Sequence, residues 1–210
     1  MNIKQLVGLG VLGAILMAGA AHAQTTLFYA GADYSWSLTD PDPKPLQAVS
    51  VESIDFRKDQ ANGWRIYGGY QFTPTWGAEV AYTDFGSAPV RGFISVLNTT
   101  TNLLVPTKVV GSADLTAFEV AGTATLPFAE SVDVQFRAGA HFWNEDYHVG
   151  TAEAGDLAVS RSVSESGVGF VGGVTFLFEF HPQWRARVGF NWYQGDNVTH
   201  NFSGGVQFRF

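Results

Sequence analysis

The segment Val132-Asp-Val-Gln-Phe-Arg-Ala-Gly-Ala-His-Phe-Trp143 decides the fold class, because its apolar and polar residues alternate with a period of two. Its even-numbered residues are valine, phenylalanine and alanine, whereas its odd-numbered residues include Asp133, Arg137 and His141. Successive side chains of a β-strand point to opposite faces of the sheet. The pattern therefore predicts a strand with one apolar face and one polar face.

Seven further runs alternate in the same way and are equally rich in aromatic and β-branched residues, which favours strands. No segment after residue 23 has the sustained 3.6-residue period of a helix. We therefore predict an all-β fold, an eight-stranded antiparallel up-and-down barrel. The eight runs are Leu27–Leu38, Trp64–Phe72, Trp76–Phe85, Phe118–Leu126, Val132–Trp143, Val168–Phe178, Trp184–Tyr193 and Phe202–Phe210.

The composition excludes several other classes of protein. The chain has 210 residues, of which 46% are hydrophobic, with no cysteine and a net charge of -7. Without cysteine there is no disulfide framework and no cysteine nucleophile or ligand. The acidic balance argues against a nucleic-acid partner, which would require a basic surface.

The only long apolar run is at the start of the chain, from Leu6 to Ala21. Lys4 precedes it and Ala21-His-Ala23 follows, which is the arrangement of a secretory signal peptide and its cleavage site. We expect residues 1–23 to be cleaved and residues 24–210 to form one barrel domain. The 11 basic and 19 acidic side chains that remain after cleavage leave the exported chain acidic.

The two faces of the runs distinguish a membrane barrel from a soluble one. One set of alternate positions, followed only as far as Tyr82 in the third run, has no charged residue. The positions between them carry nine charged residues. A lipocalin-like barrel turns its apolar face inward, and an outer-membrane barrel turns it toward lipid. Small residues alternate with charged ones on the polar face, and aromatic residues such as Trp36, Trp64 and Trp192 concentrate near the run ends, so a transmembrane barrel is favoured.

The connections predict the orientation of this barrel. Short turns at residues 73–75, 127–131 and 181–183 alternate with longer connections at 39–62, 86–112 and 147–166 and a brief one at 194–199. Short periplasmic turns and long outer loops are typical of outer-membrane barrels, so both termini are expected on the periplasmic side. Within the second long connection, Val90–Leu97 and Leu103–Val110 are interpreted as a hairpin that extends two strands above the membrane. A ten-stranded barrel is the alternative.

Several stretches resemble the OmpA-type family of small outer-membrane barrels. They are Tyr70-Gln-Phe-Thr-Pro-Thr-Trp-Gly-Ala-Glu-Val-Ala-Tyr-Thr-Asp-Phe-Gly86, Val132–Gly139, Phe170–Phe176 and Gly204–Phe210. The resemblance implies localisation in a Gram-negative outer membrane, contact with its lipids and lipopolysaccharide, and a monomer. It also implies that Phe208 and Phe210 belong to the signal read by the barrel-assembly machinery. The sequence ends at the barrel, so cell-wall tethering is not implied. Thr123 and Thr175 stand where the family has a lysine and a glutamate, which predicts a differently connected interior.

The nine charges of the polar phase are the candidate site, because they would face the lumen of the barrel. Their heights along the predicted strands overlap, and buried arginine pairs favourably with carboxylates. We predict an ion-pair network that plugs and stiffens the barrel, with a switchable gate for ions as the sharper alternative. The candidate residues are Asp33, Arg65, Glu79, Glu119, Asp133, Arg137, Arg185, Arg187 and Arg209.

Three classes of function remain open from the sequence. The first is a structural and surface protein that admits at most limited ion or small-solute permeation. The second resembles the OmpW type, a transporter of small hydrophobic compounds. The third is a lipid-active enzyme, which is disfavoured because no histidine lies in the pattern of a barrel hydrolase. His141, Glu145, Asp146 and His148 divide between two strand faces, so no metal site is predicted, and no cofactor is expected.

Overall fold

The computed structural model describes residues 27–39, 51–55, 60–98, 103–151, 160–195 and 198–210. The predicted signal peptide, residues 1–23, lies outside the described residues. So does much of the predicted connection at 39–62. No helix in the described part of the chain is long and apolar enough to cross a membrane.

The described residues form one closed antiparallel sheet. Its order is β2-β4-β3-β1-β9-β8-β7-β6-β5, and β4 also pairs with β5, which closes the barrel. Eight strands make the barrel, as predicted, and the short β2 pairs only with the outer part of β4. The strands are β1 (Leu27–Thr39), β2 (Val51–Asp55), β3 (Gln60–Gln71), β4 (Trp76–Asn98), β5 (Leu103–Ala129), β6 (Val132–Thr151), β7 (Ser160–His181), β8 (Trp184–Gln194) and β9 (Val198–Arg209).

Four strands continue well beyond the runs that the alternation predicts. β4 and β5 form the predicted hairpin, in which Val90 pairs with Gly111 and Leu97 pairs with Leu104. β6 and β7 also extend, so that β4 to β7 form a tall wall on one side of the barrel. β2, which the sequence did not predict, is the strand that joins this wall beside β4.

A β-bulge in β4 explains why the alternation fades in this region. The register with β5 shifts between Asp84 and Ser87, and Gly86 adopts a positive φ of 86°. Below the bulge the even-numbered residue Trp76 faces outward, and above it the odd-numbered residue Phe93 is exposed. One extra residue reverses the phase of every later side chain, so a single period cannot fit the whole strand.

The outer face of the barrel is apolar and the interior is polar. The exposed residues include most members of the predicted apolar phase, whereas the buried ones include many charged, amide and hydroxyl side chains. Exposed aromatic residues lie near both ends of the apolar belt: Trp36, Trp64, Phe142 and Trp192 at one end, and Phe72, Trp76, Phe128, Phe180 and Trp184 at the other. This is the inverse of a soluble barrel and matches a surface that faces lipid.

The upper edge of the apolar belt is sharp on β5, β6 and β7. There the paired outward residues Phe118, Phe142 and Val168 are followed, one outward position higher, by Thr116, Asn144 and Ser166. On β6 the belt runs from Val132 to Phe142. With a rise of about 3.3 Å per residue and a tilt of about 40°, it spans about 25 Å, the height of the apolar band in outer-membrane barrels.

Candidate functional site: a charged network inside the barrel

Three arginines and three carboxylates meet in the middle of the lumen, and we call them the central network. Each residue is at most 4% exposed. Equal numbers of the two charges make the group formally neutral, which buried charges require. The members are Asp33 on β1, Arg65 on β3, Glu79 on β4, Glu119 on β5, Arg137 on β6 and Arg187 on β8.

Arg65 joins all three carboxylates of the central network. Its Nη2 lies 2.5 Å from Glu79 Oε1 and 3.4 Å from Glu119 Oε2, while its Nη1 lies 3.4 Å from Asp33 Oδ2. The register helps, because Arg65 is the direct cross-strand partner of Asp33. The planar guanidinium directs its donors to several acceptors at once, which a lysine would not reproduce.

Arg137 links the other side of the network to polar groups on β8. Its Nη1 donates to Glu119 Oε2 at 2.6 Å, its Nε donates to Asn191 Oδ1 at 2.8 Å, and its Nη2 donates to the Tyr193 hydroxyl at 3.0 Å. Tyr193 in turn donates to Glu119 Oε1 at 2.8 Å, and the Thr83 hydroxyl also donates to Glu119. Glu119 is therefore the most heavily hydrogen-bonded carboxylate of the network.

Arg187 packs on an aromatic ring as well as on carboxylates. Its guanidinium lies 4.0 Å from the ring centroid of Tyr67, and Arg65 lies 4.9 Å from the same ring. Its Nη1 is 3.5 Å from Glu79 Oε2, and its Nε is 3.8 Å from Asp33 Oδ1. Cation–π contact and ion pairing together hold this arginine in the buried interior.

Two glycines make room for the network on the strands that contribute no charge to it. A Cβ on Gly173 of β7 would lie 2.4 Å from Asn191 Oδ1, and a Cβ on Gly205 of β9 would lie 2.4 Å from Asp33 Oδ1. The interior of an eight-stranded barrel is only just wide enough for side chains. Large charged residues on six strands therefore require minimal ones on the other two.

The remaining three candidate residues form a second group, the basal cluster, near the short turns. Arg185 Nη2 lies 2.9 Å from Asp133 Oδ2 and 3.0 Å from Glu179 Oε2, and Arg209 Nη1 lies 3.2 Å from the same oxygen of Glu179. The sequence analysis missed Glu179 because the predicted run ended at Phe178. The sequence analysis predicted five lumen arginines but only four carboxylates. Glu179 is the fifth carboxylate, so the charges of the two groups balance.

An apolar cluster lies above the central network, next to the buried side chain of Glu145. Phe85, Trp143, Val171 and Tyr193 form a buried cluster, with the rings of Phe85 and Tyr193 in edge-to-face contact at 4.8 Å. Together the apolar cluster and the central network occupy the middle and upper parts of the barrel. The sequence analysis placed these residues in the inward phase or next to it, but it assigned them no role.

The histidines of the upper barrel lie on opposite faces. His141 is buried beside Tyr193, whereas His148 is exposed and its Nδ1 lies 3.1 Å from the Ser162 hydroxyl. The sequence analysis missed this histidine–serine contact because both residues fall in the predicted connection at 147–166, where β6 and β7 in fact continue as paired strands. Across the described ranges, no group of three or more histidine, aspartate or glutamate side chains is arranged to hold a metal ion.

The two residues of the expected assembly signal lie at the end of the barrel that carries the short turns. Phe208 packs against Trp184 with ring centroids 4.9 Å apart and against Phe210 at 5.0 Å. The backbone N–H of Phe210 donates to the carbonyl of Phe28 at 2.9 Å, which helps close the barrel between its first and last strands.

A protein-family comparison matches residues 8–210 to the family described as outer membrane protein beta-barrel domain. The chain belongs to this family. A closed barrel with an apolar outer surface and a charged interior is what the family match predicts, and it supports localisation in the outer membrane. The OmpA-type resemblance of the sequence is thereby confirmed at the level of small outer-membrane barrels.

Solved structures of this fold show the same architecture at low sequence identity. Ail, the attachment invasion locus protein of Yersinia pestis, aligns with a TM-score of 0.53 and 14% identity over 89% of this chain and 100% of its own. OprG from Pseudomonas aeruginosa aligns with a TM-score of 0.51 and 11% identity over 90% of this chain and 98% of its own. No curated protein matches the sequence. These similarities establish the fold and leave the function to be argued from the lumen and the surface.

Proposed function

We propose that this protein is a sealed outer-membrane barrel with a structural role in the membrane and a surface role above it. On this proposal the central network closes the lumen, so that ions or small solutes cross it at most rarely. The central network is the observation that carries the proposal, because charged side chains from six strands meet across the lumen and are almost fully buried. A wide diffusion pore would instead need a hydrated passage, which eight strands rarely enclose.

The wall above the apolar belt supports the surface role. The outward residues just above the belt are polar. Several outward residues of the wall form hydrogen bonds with residues of the neighbouring strand. Ser164 Oγ donates to Asp146 Oδ1 at 2.5 Å, and the Ser87 hydroxyl donates to Asp114. Such a rigid, hydrated sheet suits contact with lipopolysaccharide headgroups and with molecules outside the cell.

Planar bilayer recordings test whether the lumen is sealed. We expect only rare, small current steps from the wild-type protein. Glu79→Ala should increase their frequency and favour anions, because Glu79 lies within 3.6 Å of Arg65, Arg137 and Arg187 and its loss leaves the central network with a net positive charge.

Glu130→Ala is the matched control for that recording. Glu130 is exposed in a periplasmic turn, so its loss should leave the current unchanged. A wild-type protein with large, continuous conductance would contradict the sealed lumen. Identical conductance and thermal stability in Glu79→Ala and wild type would contradict any role for the network.

Transport of small hydrophobic compounds, as in OmpW-type proteins, is the second candidate. The buried apolar cluster in the upper lumen favours it, because such a compound could be accommodated there. The central network blocks the direct route below, so the compound would have to leave through the wall. Cells that lack the protein should then accumulate a hydrophobic test compound more slowly, whereas equal uptake with and without the protein would eliminate this candidate.

We assign no catalytic role to the protein. Among the described residues of the outer face, the contact between His148 and Ser162 is the feature that would favour a lipid hydrolase, and both residues are exposed. Mass spectra of lipid A from cells with and without the protein should be identical. A difference that Ser162→Ala abolishes would make the protein an enzyme.

A further inference from the structure

The tall wall of β4 to β7 has a free sheet edge on β7, beside the mouth of the barrel. β8 stops at Gln194, which pairs with Phe170, whereas β7 extends further from the membrane, as far as Ser160. Among the described strands, only β6 pairs with residues 160–166 of β7, and we call these residues the β7 edge. The connection from β8 to β9 has three residues, 195–197, too few to cover a strand of this length.

The register shows which backbone groups the β7 edge presents. In an antiparallel sheet the N–H and C=O of one residue point to the same neighbouring strand, and those of the next residue point the opposite way. The N–H of Glu179 donates to the carbonyl of Ser131, which directly precedes β6, and the register of β7 with β6 has no shift. Odd-numbered residues of β7 therefore point to β6 and even-numbered ones to the free side. The even-numbered residues of the β7 edge are Ser160, Ser162, Ser164 and Ser166.

Nothing in the sequence of the β7 edge blocks the addition of another strand. An unpaired edge is a template for strand pairing, and proteins commonly block it with proline, lysine or a bulge. The β7 edge contains none of these. Its side chains at residues 162, 164 and 166 are short and exposed. Four consecutive pairs of backbone donors and acceptors are therefore open to an extended chain.

Glu165 gives the β7 edge a preference in charge. It is the direct cross-strand partner of Glu145, which lines the mouth of the lumen, so the two carboxylates lie side by side on the inner face. Like charges in this arrangement are destabilising. Glu145 is buried, whereas Glu165 is exposed and has no ion-pair partner among the described residues.

An added strand would bring one side chain close to Glu165. Because the N–H of Glu165 points to β6, the residue opposite it on the free side forms a non-hydrogen-bonded pair, in which side chains are closest. A basic side chain at that position would pair with Glu165 and offset its repulsion with Glu145.

We propose that the β7 edge binds an extended segment of another protein as an added antiparallel strand, with a lysine or arginine opposite Glu165. The proposal names a partner for the surface role proposed above and does not depend on whether the lumen is sealed. The four edge serines supply affinity through their backbone groups, and Glu165 supplies the register and the charge preference.

The test measures fluorescence anisotropy of labelled peptides with the whole barrel in lipid nanodiscs. The probe is the acetylated peptide Thr-Lys-Thr-Val-Thr-Thr-Thr, whose lysine stands opposite Glu165 when its first residue pairs with Ser166. We expect saturable binding, about threefold to tenfold tighter than that of the same peptide with glutamate in place of lysine. The lysine peptide N-methylated at its third and fifth residues, whose N–H groups face β7, should not bind.

Three variants assign the binding to this edge. Glu165→Lys should reverse the preference between the lysine and glutamate peptides, and Glu130→Lys, in an exposed short turn, should leave it unchanged. Ser166→Pro should abolish binding of both peptides, because it removes a donor on the free side and leaves the pairing with β6 intact. Heat-modifiable gel mobility verifies that each variant is folded.

Four results would each overturn the proposal. They are no saturable binding of the lysine peptide, binding of the N-methylated peptide, equal affinity for the lysine and glutamate peptides, and an unchanged preference in Glu165→Lys. The planar bilayer recordings test the sealed lumen separately, so these results would leave that part of the proposed function in place.

Discussion

Replacement of Glu119 by alanine should lower the free energy of unfolding by about 3–5 kcal/mol, the cost of breaking a buried ion pair. Glu119 accepts from Arg137 at 2.6 Å and from Tyr193 at 2.8 Å, and Arg65 lies 3.4 Å away. Without this carboxylate Arg137 keeps Glu79, at 3.6 Å, as its one ion-pair partner among the described residues. A buried cation with one distant partner destabilises the folded state. The free energy of unfolding should therefore fall by more than a cavity of the same size would cause.

Equilibrium unfolding in guanidinium chloride, followed by tryptophan fluorescence in phospholipid vesicles, measures this loss. Glu179→Ala is the matched control, because that carboxylate also binds two arginines but is 39% exposed in the basal cluster. Partly hydrated ion pairs contribute only about 0–1 kcal/mol. Glu119→Gln keeps the shape and the acceptor oxygen, so it should fall between the two. Equal midpoints for the two alanine variants would contradict a structural role for burial of the central network.

The membrane-embedded part of the fold could be predicted from the sequence because its outer face has a single requirement. Every outward residue of the belt contacts lipid, so the apolar residues repeat at every second position. Above the belt this requirement ends. Thr116, Asn144 and Ser166 face outward there and are polar. The inward residues at this height include apolar side chains such as Ala113 and Tyr147, so an apolar outer face no longer alternates with a polar inner one. The sequence therefore contains no pattern of comparable strength that predicts the extensions of β5, β6 and β7.

The residues that face the lumen could be predicted from the same alternation. Which of these residues contact one another could not. A strand pattern gives the face of a residue and its height along its own strand. Which residues meet across the lumen depends on the register and tilt of all eight strands together. Arg137, for example, reaches Glu119 although its direct partner on β5 is Thr123. The division into a central network and a basal cluster follows from such offsets.

The second large effect should come from adding an arginine at the position that follows Arg137 on β6. Ala138 follows Arg137, lies near the middle of the apolar belt and is exposed on the outer face. Ala138→Arg should cost about 2–4 kcal/mol, the penalty for an arginine facing lipid at the midplane. Arg137 avoids this penalty at the same depth because it donates to Glu119, Asn191 and Tyr193 inside the barrel.

Ser166→Arg is the control, because Ser166 is also exposed on the outer face but lies just above the belt on β7. Near the interface the same side chain costs only about 0–1 kcal/mol. Unfolding measured in vesicles should therefore separate the two variants, and detergent micelles, which adapt to the protein, should reduce the difference. If the two variants were equally stable in vesicles, residue 138 would not contact hydrocarbon. Consecutive residues of a strand face the lipid and the polar lumen in turn. The free-energy cost of an arginine on β6 therefore depends on which of two neighbouring positions it occupies.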